Sequence, residues 1–230
     1  MLLATFPTGH WQANCYLVAA AGSPECVVID PGQGAAEGVR RLLAEHQLVP
    51  KGLLATHGHF DHVASAAELA DEYNVPLWIH SADRHLLSDP AAGLSPDGAA
   101  LVRRLLDRPL AEPARVEEFD GRAELSLAGL RFSIEPAPGH TRGSVLLGLD
   151  YRGRHEQLDR IVFTGDVVFA GSVGRTDLPG GDQAVMNTTL AEVVLQLSDS
   201  TALLPGHGPQ TTMVRERATN PYLQPDFLRN

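Results

Sequence analysis

The stretch Thr56-His57-Gly58-His59-Phe60-Asp61-His62 constrains this chain more than any other. It places three imidazoles and one carboxylate directly after the apolar run Leu53-Leu54-Ala55, which reads as a buried strand. Polar groups held at the end of a buried strand each need a partner, because taking them out of water unpaired is costly. Burying four such groups in one loop without a cation would be costly, so a metal site is the first expectation, and the fold has to deliver whatever completes it.

Hydrophobic periodicity says which fold does so. Leu2–Phe6 and Cys15–Ala20 read as strands with a turn between them near Gly9 and Asn14, and Cys26–Ile29 as a third strand stopped by Asp30-Pro31-Gly32. Ala36–His46 keeps a helical period with Val39, Leu42 and Leu43 on one face, and residues 63–73 do the same. Pro76–Ile79 is a further strand. Residues 82–121 are broken by Pro90, Gly93, Pro96, Pro109 and Pro113; they hold one helical stretch, Ala99–Leu106, and read as an insertion over the site. Leu125–Leu127, Leu130–Ile134, Val145–Leu149 and Ile161–Phe163 are strand-like, Gln183–Leu197 is helical, Thr201–Leu204 a strand and Met213–Thr219 a terminal helix. Strands followed by αβ units, twice over, predict a layered α/β architecture in one domain, residues 1–230.

Three more polar positions sit at the ends of strand-like runs: His140 in Pro138-Gly139-His140-Thr141, Asp166 after Ile161-Val162-Phe163, and His207 in Pro205-Gly206-His207-Gly208. Loops at strand ends are where α/β proteins gather ligands. The candidate set is then His57, His59, Asp61, His62, His140, Asp166 and His207, too many for one tetrahedral ion and suited to two. Two divalent cations set against two carboxylates and one hydroxide leave a centre near +1 that favours an anionic transition state, with the bound water acidified to a pKa of roughly 7.

This constellation closely resembles the metallo-β-lactamase superfamily, through Thr56-His57-Gly58-His59-Phe60-Asp61-His62 followed by His140, Asp166 and His207 in the family's order. The resemblance implies an αββα sandwich of two mixed sheets flanked by helices. It implies His57, His59 and His140 on one metal, Asp61, His62 and His207 on the other, and Asp166 between them, with Asp61 and Asp166 as the catalytic carboxylates. Zinc is the expected metal, with iron or manganese compatible.

Within that superfamily the pattern looks like short bacterial members of the glyoxalase II (hydroxyacylglutathione hydrolase) group, through Thr164-Gly165-Asp166, Gly174-Arg175-Thr176-Asp177, Leu204-Pro205-Gly206-His207-Gly208, Glu216 and Asn220-Pro221-Tyr222-Leu223. That likeness implies hydrolysis of thioesters such as S-D-lactoylglutathione by a metal-bridging hydroxide, with Arg175 contacting a substrate carboxylate. Asp177 stands where longer members carry an aromatic residue, and no C-terminal glutathione-binding helical domain like theirs is expected. The competing reading is a persulfide dioxygenase with a single iron on His57, His140 and Asp166.

Composition narrows the partners. A formal charge of −10 is unsuited to a nucleic-acid surface, and no apolar run reaches the roughly 20 residues that span a bilayer. The N-terminus does not read as a signal peptide, so a cytoplasmic enzyme acting on a small-molecule thioester is expected; the oligomeric state is left open. Cys15 and Cys26 lie in apolar runs and read as free buried thiols. His10, His46, His80, His85 and His155 read as surface or capping residues, with His10 near enough to the first turn to rim the site. Asp30 reads as a turn former, Ser144 and Arg142 as loop-ordering, and Trp11 and Phe169 as either pocket lining or core.

Overall fold

The computed structural model describes residues 1–106, 110–151 and 158–228. His155 and the breaker Pro109 lie outside the described residues. Strands β1 (Leu2–Thr8), β2 (Ala13–Ala19) and β3 (Glu25–Ile29) form an antiparallel meander. Helix α1 (Ala35–His46) carries the chain to β4 (Val49–Leu54), parallel to β3. Two short helices, α2 (Phe60–Val63) and α3 (Ala66–Tyr73), lead to β5 (Leu77–His80). After α4 (Ser81–Arg84) and α5 (Pro96–Leu105), strand β6 (Val116–Phe119) closes the first sheet, in the order β1-β2-β3-β4-β5-β6.

The second sheet is built from β7 (Ala123–Leu127), β8 (Leu130–Pro136), β9 (Val145–Asp150), β10 (Arg160–Gly165), β13 (Thr201–Pro205) and β14 (Thr211–Thr212). Its order is β14-β13-β10-β9-β8-β7, with one parallel pair, β10 and β13. Between β10 and β13 come a small hairpin, β11 (Val168–Phe169) with β12 (Ser172–Val173), and helix α6 (Gln183–Glu192). Helices α7 (Met213–Thr219) and α8 (Pro225–Leu228) end the described chain.

Both sheets are mixed and flanked by helices, as the αββα expectation requires, and strand alternation explains the layering. Cys15, Leu17 and Ala19 of β2 face Val39 and Leu43 of α1 and Leu69 of α3. Tyr16 and Val18 point the other way, toward Phe132, Leu147 and Phe163 of the second sheet. In β9, Leu147 and Leu149 fill the layer between sheets, while Leu146 packs with Met186 and Leu190 of α6. A sheet buried on both faces reads as a nearly continuous apolar run, which is why these strands are prominent in the sequence.

The structure redraws three sequence assignments. The helix expected over 63–73 starts only at Ala66, Val63 ending the separate α2; at the break the Ser65 backbone N–H donates to Pro31 O (3.0 Å) and its hydroxyl to Gly32 O (2.7 Å). The helix expected over Gln183–Leu197 stops at Glu192, with a 3-10 turn at Val194–Gln196. The segment 82–121 is not wholly an insertion: Val116–Phe119 is β6, parallel to β5. Glu117 and Glu118 keep that strand's pattern polar, as suits a sheet edge. Leu94, Asp97 and Leu101 from the earlier part of the segment line the cavity at the candidate site. Among the described residues no helix is long and apolar enough to cross a membrane, and Cys15 and Cys26 are buried free thiols.

One contact ties the two sheets beside the site. Tyr16, buried in β2, packs edge-on against Phe163 of β10 at 5.1 Å and donates its hydroxyl to Pro205 O at the end of β13 (2.7 Å). Asn14 Nδ2 also donates to that carbonyl (2.9 Å). Tyr16→Phe therefore keeps the ring and leaves the carbonyl partnered. Its expected cost is that of one hydrogen bond, about 0.5–1.5 kcal/mol in urea unfolding; a loss of several kcal/mol would mean the hydroxyl does more than dock the sheets.

Candidate metal centre

All the candidate donors arise where strands end. Asp30 follows β3, Thr56–His62 follows β4, His140 lies between β8 and β9, Asp166 follows β10, and His207 follows β13. The backbone joins these ends across the sandwich: Val145 N donates to Thr56 O (2.9 Å), Gly206 N to Gly165 O (2.8 Å) and Asn14 N to Gly206 O (2.7 Å). Residues separated by 150 positions in sequence thus share one cleft.

The seven residues fall into overlapping groups whose donor atoms lie within 4.8 Å of one another: His57, His59 and His140; Asp61, His62 and His207; and His57, His62 and Asp166. In the first group His140 Nε2 lies 2.8 Å from His59 Nδ1. In the second, His207 Nε2 is 3.3 Å from His62 Nε2 and 3.2 Å from Asp61 Oδ2. The Asp166 carboxylate lies between the groups, with Oδ2 3.6 Å from His140 Nε2 and 3.4 Å from His207 Nε2, and Oδ1 3.4 Å from His62 Nε2.

Outer partners fix how each ring faces. His140 Nδ1 donates to Arg175 O (2.7 Å) and His207 Nδ1 to Trp11 O (3.0 Å). A carbonyl only accepts, so both rings carry hydrogen on Nδ1 and, when neutral, present an Nε2 lone pair to the cleft. His62 Nδ1 pairs with Asp30 Oδ2 (3.0 Å). Thr56 Oγ1 donates to Asp30 Oδ2 (2.7 Å) and lies 3.1 Å from His57 Nδ1, so the Asp30 carboxylate orients His57 as well, through one hydroxyl.

Sequence reasoning missed the roles of two carboxylates. Asp30, read as a turn former, does turn the chain at φ 50° but is buried and accepts from Thr56 N (2.7 Å), Thr56 Oγ1 and His62. Its place at a strand end was the available signal. Asp83, buried in α4, accepts from Gly58 N (2.9 Å), Thr141 Oγ1 (2.6 Å) and Gly143 N (2.8 Å), tying the first histidine loop to the His140 loop. Nothing local in the sequence marks it. Ser144 orders its loop as expected, accepting from Thr141 N (3.1 Å). Arg142 is exposed, His80 caps α4 through Nδ1, and His10, His46 and His85 are exposed. His10 also stacks edge-on against Trp11.

Two glycines make room for Asp166. A Cβ on Gly206 would lie 2.2 Å from Asp166 Oδ1, and one on Gly174 1.7 Å from Asp166 O. Above the donors opens a cavity of about 520 Å³. Its walls are Trp11 and Phe60, which pack edge-on, with Phe169 against His207 and Leu94, Leu101 and Leu178 opposite. Trp11 and Phe169 are thus pocket residues. Arg175 lines the cavity too, its exposed guanidinium bound to Asp177 at 2.6 and 2.7 Å; the sequence left that pairing open.

The donors fit a metal pair. His57 Nε2, His59 Nε2 and Asp166 Oδ1 are buried with no hydrogen-bond partner. With their Nδ1 hydrogens committed outward, His62 and His207 aim lone pairs at each other, an arrangement that calls for a cation or a proton between them. Without metal, protons take that part. Burial opposes charge on His62, but Asp166 and Asp61 outweigh it and raise the ring's pKa; burial is likewise outweighed at His207, which hydrogen bonds to Asp166 and Asp61 push to about 9. His59, buried and beside His140, is lowered to about 3, and burial with neighbouring His62 lowers His57.

Residues 8–207 match the Metallo-beta-lactamase superfamily. The chain belongs to that superfamily. Among curated relatives, an uncharacterised protein of Mycobacterium tuberculosis is 41% identical, covering 97% of this chain and 98% of its own. The probable metallo-hydrolase YqgX of Bacillus subtilis is 33% identical over 94% and 95%, and hydroxyacylglutathione hydrolase GloC of Haemophilus influenzae 33% over 97% and 98%. Among solved structures, the BLEG-1 B3 metallo-beta-lactamase matches with a TM-score of 0.80 at 33% identity, covering 97% of this chain and all of its own. A protein solved in a di-iron-bound form matches with a TM-score of 0.73 at 33% identity, over 95% and 99%. This metallo-beta-lactamase superfamily member is a metal-dependent hydrolase, and its fold binds divalent metals through a histidine and aspartate cluster.

The protonation of the centre has a measurable effect. Because His62 and His207 hold protons near neutral pH, divalent-cation binding releases protons and weakens as the pH falls through their raised pKa range. Calorimetry in two buffers of different ionisation enthalpy checks this, since heats independent of buffer would refute it. Asp30→Ala removes the partner of His62 and Thr56, and metal affinity should fall about 10- to 100-fold by competition with a chelating dye.

Proposed function

We propose that this chain hydrolyses thioesters, S-D-lactoylglutathione or a related acyl-thiol, at a centre of two divalent metals. His57, His59 and His140 would hold one ion, Asp61, His62 and His207 the other, and Asp166 would lie between them. Zinc suits the imidazole and carboxylate donors, and iron or manganese suits them too. Bound there, the two ions supply Lewis acidity and a water acidified toward hydroxide near neutral pH.

The observation that carries the thioester reading is what the cavity lacks. Beyond the donors, the titratable side chains lining it among the described residues are Asp97 and Arg175, both exposed at the rim. Neither is a general acid placed to protonate a leaving group. A thiolate, whose conjugate acid has a pKa near 8.5, departs without that help, whereas an amide nitrogen does not. Water adds across the C–S bond: the acyl carbon gains the hydroxyl, and the sulfur leaves with the bonding pair and takes a proton from solvent. The Asp61 and Asp166 carboxylates would offset the charge of the centre, while Trp11, Phe60 and Phe169 offer the acyl group apolar walls. The likeness to hydroxyacylglutathione hydrolase GloC supports the same reaction class.

The second donor group, Asp61, His62 and His207, is complete beside the first, and this favours two ions over the single iron of a persulfide dioxygenase. Metal-loaded protein should turn over S-D-lactoylglutathione or other acyl-thioesters in a hydrolysis panel; no turnover of any thioester, with oxygen uptake on glutathione persulfide, would reverse the assignment. Asp61→Ala or His62→Ala should lower metal content toward one ion per chain, and Asp166→Ala should weaken both sites. Elemental analysis showing two ions in Asp61→Ala, with full hydrolysis, would break the proposed division.

A further inference from the structure

We propose that the cavity selects thioesters whose thiol carrier brings no negative charge to the rim, and that Asp177 enforces this selection; the inference rests on the thioester reading. Among the described residues Arg175 is the sole lysine or arginine lining the cavity. Recognising a carboxylate takes an open edge of a guanidinium, where two N–H groups run parallel. In Arg175 the edge formed by Nε and Nη2 is occupied, donating to Asp177 Oδ1 at 2.6 Å and Oδ2 at 2.7 Å, so the edge at Nη1 is the one left for a carrier and its charge is already offset by Asp177. The backbone beneath is fixed as well, since Arg175 O accepts from His140 Nδ1.

Asp97, exposed in the first turn of α5 across the opening, adds a second carboxylate. The rim therefore carries more negative than positive charge, and the chain's net −10 acts in the same direction. The positive charge of a loaded centre acts at the floor, on the thioester carbonyl, while the carrier passes out between Leu94, Leu101 and Phe169 toward Asp97 and Asp177. A carrier with carboxylates, such as glutathione, would meet a guanidinium whose charge Asp177 already offsets and would lie near Asp97. A neutral amide carrier loses nothing there and gains apolar contact.

Arg175 and Asp177 are 60% and 67% exposed, and exposed ion pairs are weak, so the filter is modest and adjustable. The test keeps the acyl group constant and compares S-acetylglutathione with S-acetyl-N-acetylcysteamine on the metal-loaded full chain. The native protein should favour the neutral carrier in kcat/KM. Asp177→Asn, which removes the anion paired with Arg175, should shift the ratio toward glutathione by about three- to fivefold, an effect that shrinks with added salt. Arg175→Gln in the Asp177→Asn background should reverse that shift. A native preference for the glutathione thioester, or a ratio unmoved by Asp177→Asn, overturns the proposal. Turnover of neither substrate counts against the thioester reading itself, and the charge filter is then decided by binding of S-methylglutathione, monitored by tryptophan fluorescence. Tighter binding to Asp177→Asn supports the filter, and equal binding overturns it.

Discussion

The carboxylate of Asp30 lies under the whole centre. It is buried at the end of β3 and takes three hydrogen bonds, two from Thr56 at the end of β4 and one from His62 in α2. A buried anion is tolerable only with such a full set of partners, and each of its partners depends on it in turn. Through Thr56 it orients His57, and through His62 it reaches the second donor group. Asp83 does the same on the other side of the first histidine loop, holding Gly58, Thr141 and Gly143. Two buried carboxylates thus brace a loop that brings His57, His59, Asp61 and His62 together at the cleft, and both add negative potential where cations are to be held.

The sandwich explains why so few elements suffice. Parallel neighbours β3 and β4 end at the same edge of the first sheet, and β10 and β13 end at the matching edge of the second. Packing the sheets face to face through Tyr16, Phe132 and Phe163 sets those edges side by side. Short loops can then deliver imidazoles from both sheets, with glycines at 174 and 206 where the backbone or Asp166 comes too close for a side chain.

Much of this was legible in the sequence because the strands are buried on both faces and their apolar runs stand out, and because the donors sit just past those runs. The elements that escaped notice depend on tertiary partners. Strand β6 is a sheet edge whose two glutamates hide its pattern, and the break at Ser65 falls where hydrogen bonds reach Pro31 and Gly32, far away in sequence. Asp83 holds loops that only folding brings together. The donors that face the cleft share a recognisable spacing; the carboxylates that aim them do not. Arg175 shows the opposite case, a residue whose type suggests a role that its neighbour two positions on alters.

The dispersal of the donors has a consequence for how the molecule behaves as a polymer. From His57 to His207 the proposed ligands bracket about two-thirds of the chain. A cation held by both sheets acts as a removable cross-link closing that span, and closing long loops in the unfolded chain is the expensive part of assembling a topology rich in distant contacts. An ion that bound only the native state would raise stability with free metal as a mass-action term, about 2.7 kcal/mol at a hundredfold excess over the dissociation constant. The ions that make the centre reactive would then also set how firmly the two halves of the sandwich stay closed, and a cell's supply of metal would govern the protein's lifetime together with its activity.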